Sequence, residues 1–139
     1  MSQQNPAIYA QAIQAQLKTI FGEGFPVYQN FNRQEFTEAD VDGFLTWQLR
    51  SVHQPVYTGR NQNNKGIDTP VFQISIFHTN SEDALNLTND LLQSLHGYSG
   101  TFGGLIEVAK ADVYMHYATY DNDLGLQQIS LDCTLYIST

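Results

Sequence analysis

TPVFQISIFHTNSEDALNLTNDLLQSLHG, residues 69–97, reads as a strand that passes through a few polar residues directly into a helix. Phe72, Ile74 and Ile76 fall on one face and Gln73 and Ser75 on the other, the period of two that a half-buried strand requires. Val71 and Phe77 interrupt the polar face only at its ends. Any of Thr79, Asn80 and Ser81 can cap the helix that follows, and Thr79 with Glu82 fits a capping box. Glu82 and Asp83 place negative charge where the helix dipole favours it. Ala84, Leu87, Leu91 and Leu95, widened by Leu92, make the apolar stripe, while Asn86, Asn89, Asp90 and Gln93 face away. Gly97 stops the helix. With further strands after it, this block defines an α+β unit.

Working outward, Asn5 and Pro6 cap a first helix from about Pro6 to Phe21, with a stripe of Ile8, Ala12, Leu17 and Ile20 flanked by Ile13 and Phe21. Gly22 and Gly24 end it. Phe25 to Phe31 can form a short strand, Pro26 suiting an edge or a strand start, and Asn32 to Asp42 is polar and acidic, most simply a loop. Leu45, Trp47 and Leu49 alternate with polar residues in a strand from Gly43 to Thr58, where Pro55 makes a bulge or an edge expected. Gly59 to Asp68 (GRNQNNKGID) reads as an exposed, mobile hairpin loop.

Beyond Gly97 a glycine-rich turn region extends to Gly104, and Leu105 to Ala109 can be a strand. Asp112 to Tyr120 is an aromatic strand, with Tyr114, His116, Ala118 and Tyr120 expected on one face and Val113, Met115, Tyr117 and Thr119 on the other. After a polar turn from Asp121 to Gly125, the last strand aligns Ile129, Leu131, Cys133, Leu135 and Ile137 on one face. There is no internal repeat, linker or low-complexity tract, so residues 1–139 are read as a single domain.

Composition narrows the function. Cys133 is the one cysteine, so no internal disulfide can form and a reducing compartment is expected. The N-terminus has neither the basic start nor the continuous apolar core of a signal peptide, and no apolar run is long enough to span a membrane. The sequon Asn86-Leu87-Thr88 is therefore expected to be idle. Fourteen acids against six bases give a formal charge of −8, and the bases (Lys18, Arg33, Arg50, Arg60, Lys65, Lys110) form no patch in sequence. That disfavours nucleic acid as an electrostatic partner. The acidic balance either repels DNA or simply keeps a small protein soluble. Charged residues make up only 14 % of the chain, and a surface rich in uncharged polar groups suits protein contact.

Candidate chemistry is thin. His78 and His116 lie in strands that could pair, but no third ligand falls at a recognisable spacing, so a structural role is favoured. Asp121 and Asp123 resemble the start of a calcium loop, yet the sixth and twelfth positions are Leu126 and Asp132 rather than glycine and glutamate. Cys133 sits on the expected core face, and YSGTFGG (98–104) lacks both the phosphate-loop ending and the dinucleotide spacing. No catalytic, cofactor-binding or metal-binding residue is assigned.

The N-terminal amphipathic helix, FPVY after it, PVFQISIFHTNSEDALNLTNDLLQSLHG, the aromatic VYMHYATYDND and the final strand ending in LYI together resemble the tail-terminator, or tail-completion, family of long-tailed bacteriophages. The resemblance spans nearly the whole chain and rests on pattern rather than on an invariant motif. It implies a mixed, largely antiparallel sheet packed by an N-terminal and a central helix, and a structural virion protein rather than an enzyme. It further implies a ring, usually a hexamer, on the end of the tail tube, stopping polymerisation and meeting the head-completion or connector proteins. No cofactor and no membrane are implied, DNA only passes through the lumen, and assembly takes place in the host cytoplasm. The matching loop, Arg60, Asn61, Gln62, Asn63, Asn64 and Lys65, is then a subunit or tube interface, Arg60 and Lys65 being its only bases. The alternatives are another neck component, such as a head-closure or connector protein, a regulatory dimer, or a small ligand-binding or enzymatic domain built around His78, His116 and a tyrosine cluster.

Overall fold

The computed structural model describes residues 5–22, 24–29, 43–57, 66–122 and 125–138, with backbone alone for 54–57 and 121. Along the chain run α1 (Pro6–Phe21), β1 (Val27–Gln29), β2 (Gly43–Tyr57), β3 (Gly66–His78), α2 (Ser81–Leu95), β4 (Gly100–Phe102), β5 (Ile106–Val108), β6 (Lys110–Asp121) and β7 (Leu126–Ser138). A five-stranded sheet has the order β1-β2-β3-β7-β6. β1 is parallel to β2 and the other pairs are antiparallel, while β4 and β5 form a separate hairpin. The fold is α+β.

Period-two strands and period-3.6 helices meet on one side of this sheet. Leu45 and Trp47 of β2, Phe72, Ile74 and Ile76 of β3, and Ile129, Leu131, Cys133 and Leu135 of β7 bury against Ala12, Ile13 and Leu17 of α1 and Ala84, Leu91 and Leu95 of α2. α1 lies over β1, β2 and the β4–β5 hairpin, and α2 over β3, β7 and β6. On the opposite face, Phe44, Phe77 and Leu126 form a small second cluster, the two phenyl rings stacked at 4.8 Å. Phe77, an interruption of the polar face in the sequence, is thereby explained. Beside it, the buried Ser75 and Ser130 hydroxyls share a hydrogen bond of 3.2 Å.

Both helix starts are capped by asparagine. The Asn5 side chain accepts from the Ile8 N–H at 3.2 Å, with Pro6 in the first turn. At α2 the cap is Asn80, whose Oδ1 accepts from the Glu82 and Asp83 N–H groups at 2.8 and 3.1 Å, so the Thr79–Glu82 box is not the device used. Thr88 joins the buried stripe because its hydroxyl donates to the Ala84 carbonyl at 2.9 Å. Gly97 follows α2 with φ +79, the left-handed conformation expected of it.

Two expectations are corrected. Gly66 to Asp68 are strand rather than loop, because β3 pairs with Tyr57 and Val56 on one side and with Ser138 and Ile137 on the other. Asp68 is fully buried and accepts a hydrogen bond from the Tyr9 hydroxyl, tying α1 to the start of β3. In β6 the alternation breaks: Met115 faces Leu131 and Tyr117 faces Ser130, leaving His116 as an extra residue. That bulge moves Ala118 and Tyr120 from the face of Tyr114 to the face of Met115. In β2, the register shifts between His53 and Val56, where Pro55 made one expected, and again between Leu49 and Ser51.

Candidate assembly surface

His78 and His116 are not brought together. β7 lies between their strands, and His78 pairs with Gly43 and Gln127. The His78 Nδ1 accepts the Asn80 N–H at 2.9 Å, an anchor for the turn into α2. His116 stands at the β6 bulge with Nδ1 3.6 Å from an Asp132 oxygen. Among the described residues no three His, Cys, Asp or Glu side chains could hold a metal ion together. Burial pushes the Cys133 thiol up to about 12, which leaves it protonated and inert inside the core. YSGTFGG becomes β4 and the turn after it, with Gly103 packed against the backbone of α1. Arg60 to Lys65 lie outside the described residues, between the paired strand ends Tyr57 and Gly66.

The exposed feature is the far half of β6. This strand is one edge of the sheet, and its near half is closed from outside by the chain itself. There the Gly97 N–H donates to the Ala111 carbonyl at 2.8 Å, and the His96 Nδ1 accepts the Val113 N–H at 3.1 Å. Beyond Val113, no described residue bonds to the outer edge. The side chains there are large and open on both faces: Tyr114 is 53 % exposed, Met115 47 %, Tyr117 41 % and Tyr120 50 %. Among the described residues the Tyr114 hydroxyl donates to Asp132 at 3.0 Å, a bond that raises its pKa, and the Tyr117 ring meets His116 edge-on.

At the other edge, α1 and β1 enclose an open groove of about 610 Å³ whose walls include Ala10, Gln11, Ala15, Tyr28 and Gln29. Gln14 bridges its floor, accepting from the Trp47 indole N–H and donating to the Val27 carbonyl at 3.2 Å. No charged side chain lines it among the described residues. Pro26 marks the β1 segment as an edge or a strand start in the sequence, whereas nothing there marks β6 as the other edge. The signal for β6 was its doubly apolar pattern, VYMHYATY, which equally suits a strand buried on both faces.

No family model matches the sequence, and no curated protein matches it. Solved structures do. A chain of the virion of a native gene transfer agent particle superposes with a TM-score of 0.60 at 13 % identity, over 95 % of this chain and 92 % of that one. A sheath/tube terminator of an extracellular contractile injection system matches all of this chain and 58 % of its own, with a TM-score of 0.52 and 11 % identity. At such identities the likeness is one of fold. Among the described residues no helix is long and apolar enough to cross a membrane.

Proposed function

We propose that this chain is a structural subunit of a phage-type tail, a tail-terminator-like protein that forms a ring on the end of the tail tube. The carrying observation is the likeness of fold to a virion chain, over nearly the whole of both, and to a sheath/tube terminator, over all of this chain and 58 % of that one. In this role the protein acts stoichiometrically rather than as an enzyme. One face of a ring matches the tube end, and the other refuses a further tube ring and meets a head-completion or connector protein. A surface low in charge and an edge strand lined with tyrosines fit repeated protein contact. The acidic balance fits a lumen through which DNA passes without adhering. Arg60 and Lys65, with the asparagines and glutamine between them, would serve as a contact to the next subunit or to the tube.

Electron microscopy of the purified protein mixed with tail tubes tests the reading. A ring at one end of each tube is the expected image, and Arg60→Ala with Lys65→Ala should lower the fraction of capped tubes. Binding to filled heads but not to tubes would replace the terminator role with a head-closure one, and binding to neither would refute the tail reading.

A further inference from the structure

We infer that the free outer edge of β6, Tyr114 to Tyr120, docks head to tail into the α1/β1 groove of a second copy of this chain. The inference deepens the ring reading and rests on it only for closure into a ring, not for the contact. An unpaired strand edge is a template for another chain, and soluble proteins blunt such edges with lysine, proline or a covering element. Among the described residues β6 has none of these between Val113 and Asp121; a bulge at His116, which can also twist an edge, is its single interruption. Its backbone direction follows from the register. The Tyr136 carbonyl accepts from Ala109, so the even-numbered residues of β7 turn their backbone groups toward β6. Ala118 pairs with Ile129, so its N–H points outward. At about 200 Å² for each large side chain, the four half-exposed residues present about 400 Å². That is half of the roughly 800 Å² per partner in a stable interface.

Charge selects the groove of a second copy over a second β6. Residues 107–132 carry Glu107, Asp112, Asp121, Asp123 and Asp132 against Lys110 alone, so two such edges repel each other. Residues 1–22, which include α1, contain no acid and one base, Lys18. The groove beside α1 has small walls at Ala10 and Ala15 where the aromatic edge has protrusions. Because the two surfaces lie at opposite edges of one sheet, their contact is heterologous and repeats into a ring or a filament.

The test is sedimentation of the full chain and of two kinds of variant. Ala118→Pro removes the outward N–H without touching a β6–β7 bond, and Tyr117→Ser with Tyr120→Ser strips the edge without a backbone change. Ala15→Arg fills the groove from a half-buried helical position that lines it. Wild type should associate beyond a dimer as concentration rises, and each variant alone should associate roughly thirtyfold more weakly, the loss of a single hot spot. An edge variant mixed with the groove variant should give a dimer that grows no further, since that pair retains one intact edge and one intact groove. A wild-type chain that stays monomeric up to its solubility limit would overturn the inference. So would edge variants that assemble normally, or Ala15→Arg assembling normally, which means two-fold edge pairing or another partner. Association by this contact without tube binding would sink the tail reading alone, and tube capping untouched by all variants would sink the contact alone.

Discussion

Gly103→Ala should be among the most damaging single-methyl changes in this chain. Gly103 sits at φ +61 in the turn between β4 and β5, pressed on the backbone of α1. A Cβ placed there would lie 2.3 Å from the Ala12 carbonyl oxygen and 2.7 Å from its Cα. Neither atom can rotate away, so the hairpin must lift off the helix. Lifting breaks the bond from the Gly103 N–H to Gln16 Oε1 at 2.8 Å, worth about 1 kcal/mol. It also loosens the fully buried Phe102, a packing defect of about 1–3 kcal/mol. The left-handed backbone itself costs alanine about 1–2 kcal/mol. The total is about 3–6 kcal/mol, which at this chain length lowers the melting temperature by about 10 °C or more. Gly104→Ala is the internal control, because Gly104 has φ +72 but nothing within 4 Å of an added Cβ. It should lose only the backbone part, about 1–2 kcal/mol. Thermal and urea melts of the two variants side by side isolate the contact with α1. Equal losses would refute the claim that the hairpin is clamped to the helix through Gly103.

Asn80→Ala should cost about 1 kcal/mol by urea denaturation, because it frees the Glu82 and Asp83 N–H groups, whereas Thr79→Ala should stay within about 0.5 kcal/mol. Tyr9→Phe should cost about 1–3 kcal/mol by leaving buried Asp68 without that donor. The pH dependence follows from the Tyr9 phenol, which burial, and then the bond to Asp68, raises above its ordinary 10.0. A folded-state pKa raised above the unfolded one contributes stability that is complete below pH 10 and lost as pH rises beyond it. Wild type should therefore show an alkaline fall in stability that is smaller in Tyr9→Phe, measured by urea midpoints from pH 8 upward. Cys133 should react with a thiol reagent only when the protein unfolds, so its labelling rate should rise with urea in step with global unfolding; fast labelling in buffer would refute its placement in the core.

The readable parts of the sequence were those where one local signal met no competitor. Asn5-Pro6 and Gly22 bound a helix with a single apolar stripe, and α1 falls on Pro6–Phe21 as read. Ile129 to Ile137 alternate without interruption, and β7 buries that whole row. Misreadings came where a distant partner decides. Asp68 looks like loop because a carboxylate in a run of glycine and asparagine is ordinarily solvated, and a bond from the Tyr9 hydroxyl, 59 residues away, helps make its burial tolerable. The bulge at His116 leaves no mark in the alternation of VYMHYATY, since both faces are apolar and a slip of one residue exchanges like for like. For the same reason the exposure of that strand was hidden: composition cannot tell a strand buried on both faces from one uncovered on both.

What uncovers it is the path of α2. The helix starts after a two-residue link from the end of β3 at His78, near the middle of the sheet, and the chain after it reaches the edge at Ala111, where Gly97 bonds. It therefore crosses obliquely from the centre toward the beginning of β6. Fifteen residues of helix span about 22 Å, whereas the twelve of β6 extend about 40 Å. A helix of that length on that course covers Ala111 and Val113 and must leave the corner holding Met115 and Tyr120 open. Lengthening α2 would not cover it, because the helix leads to the other end of the strand. The open corner is thus built into the connection itself. The bare aromatic edge comes from the order of the elements, with Asn80 setting where the helix begins and Gly97 where it ends.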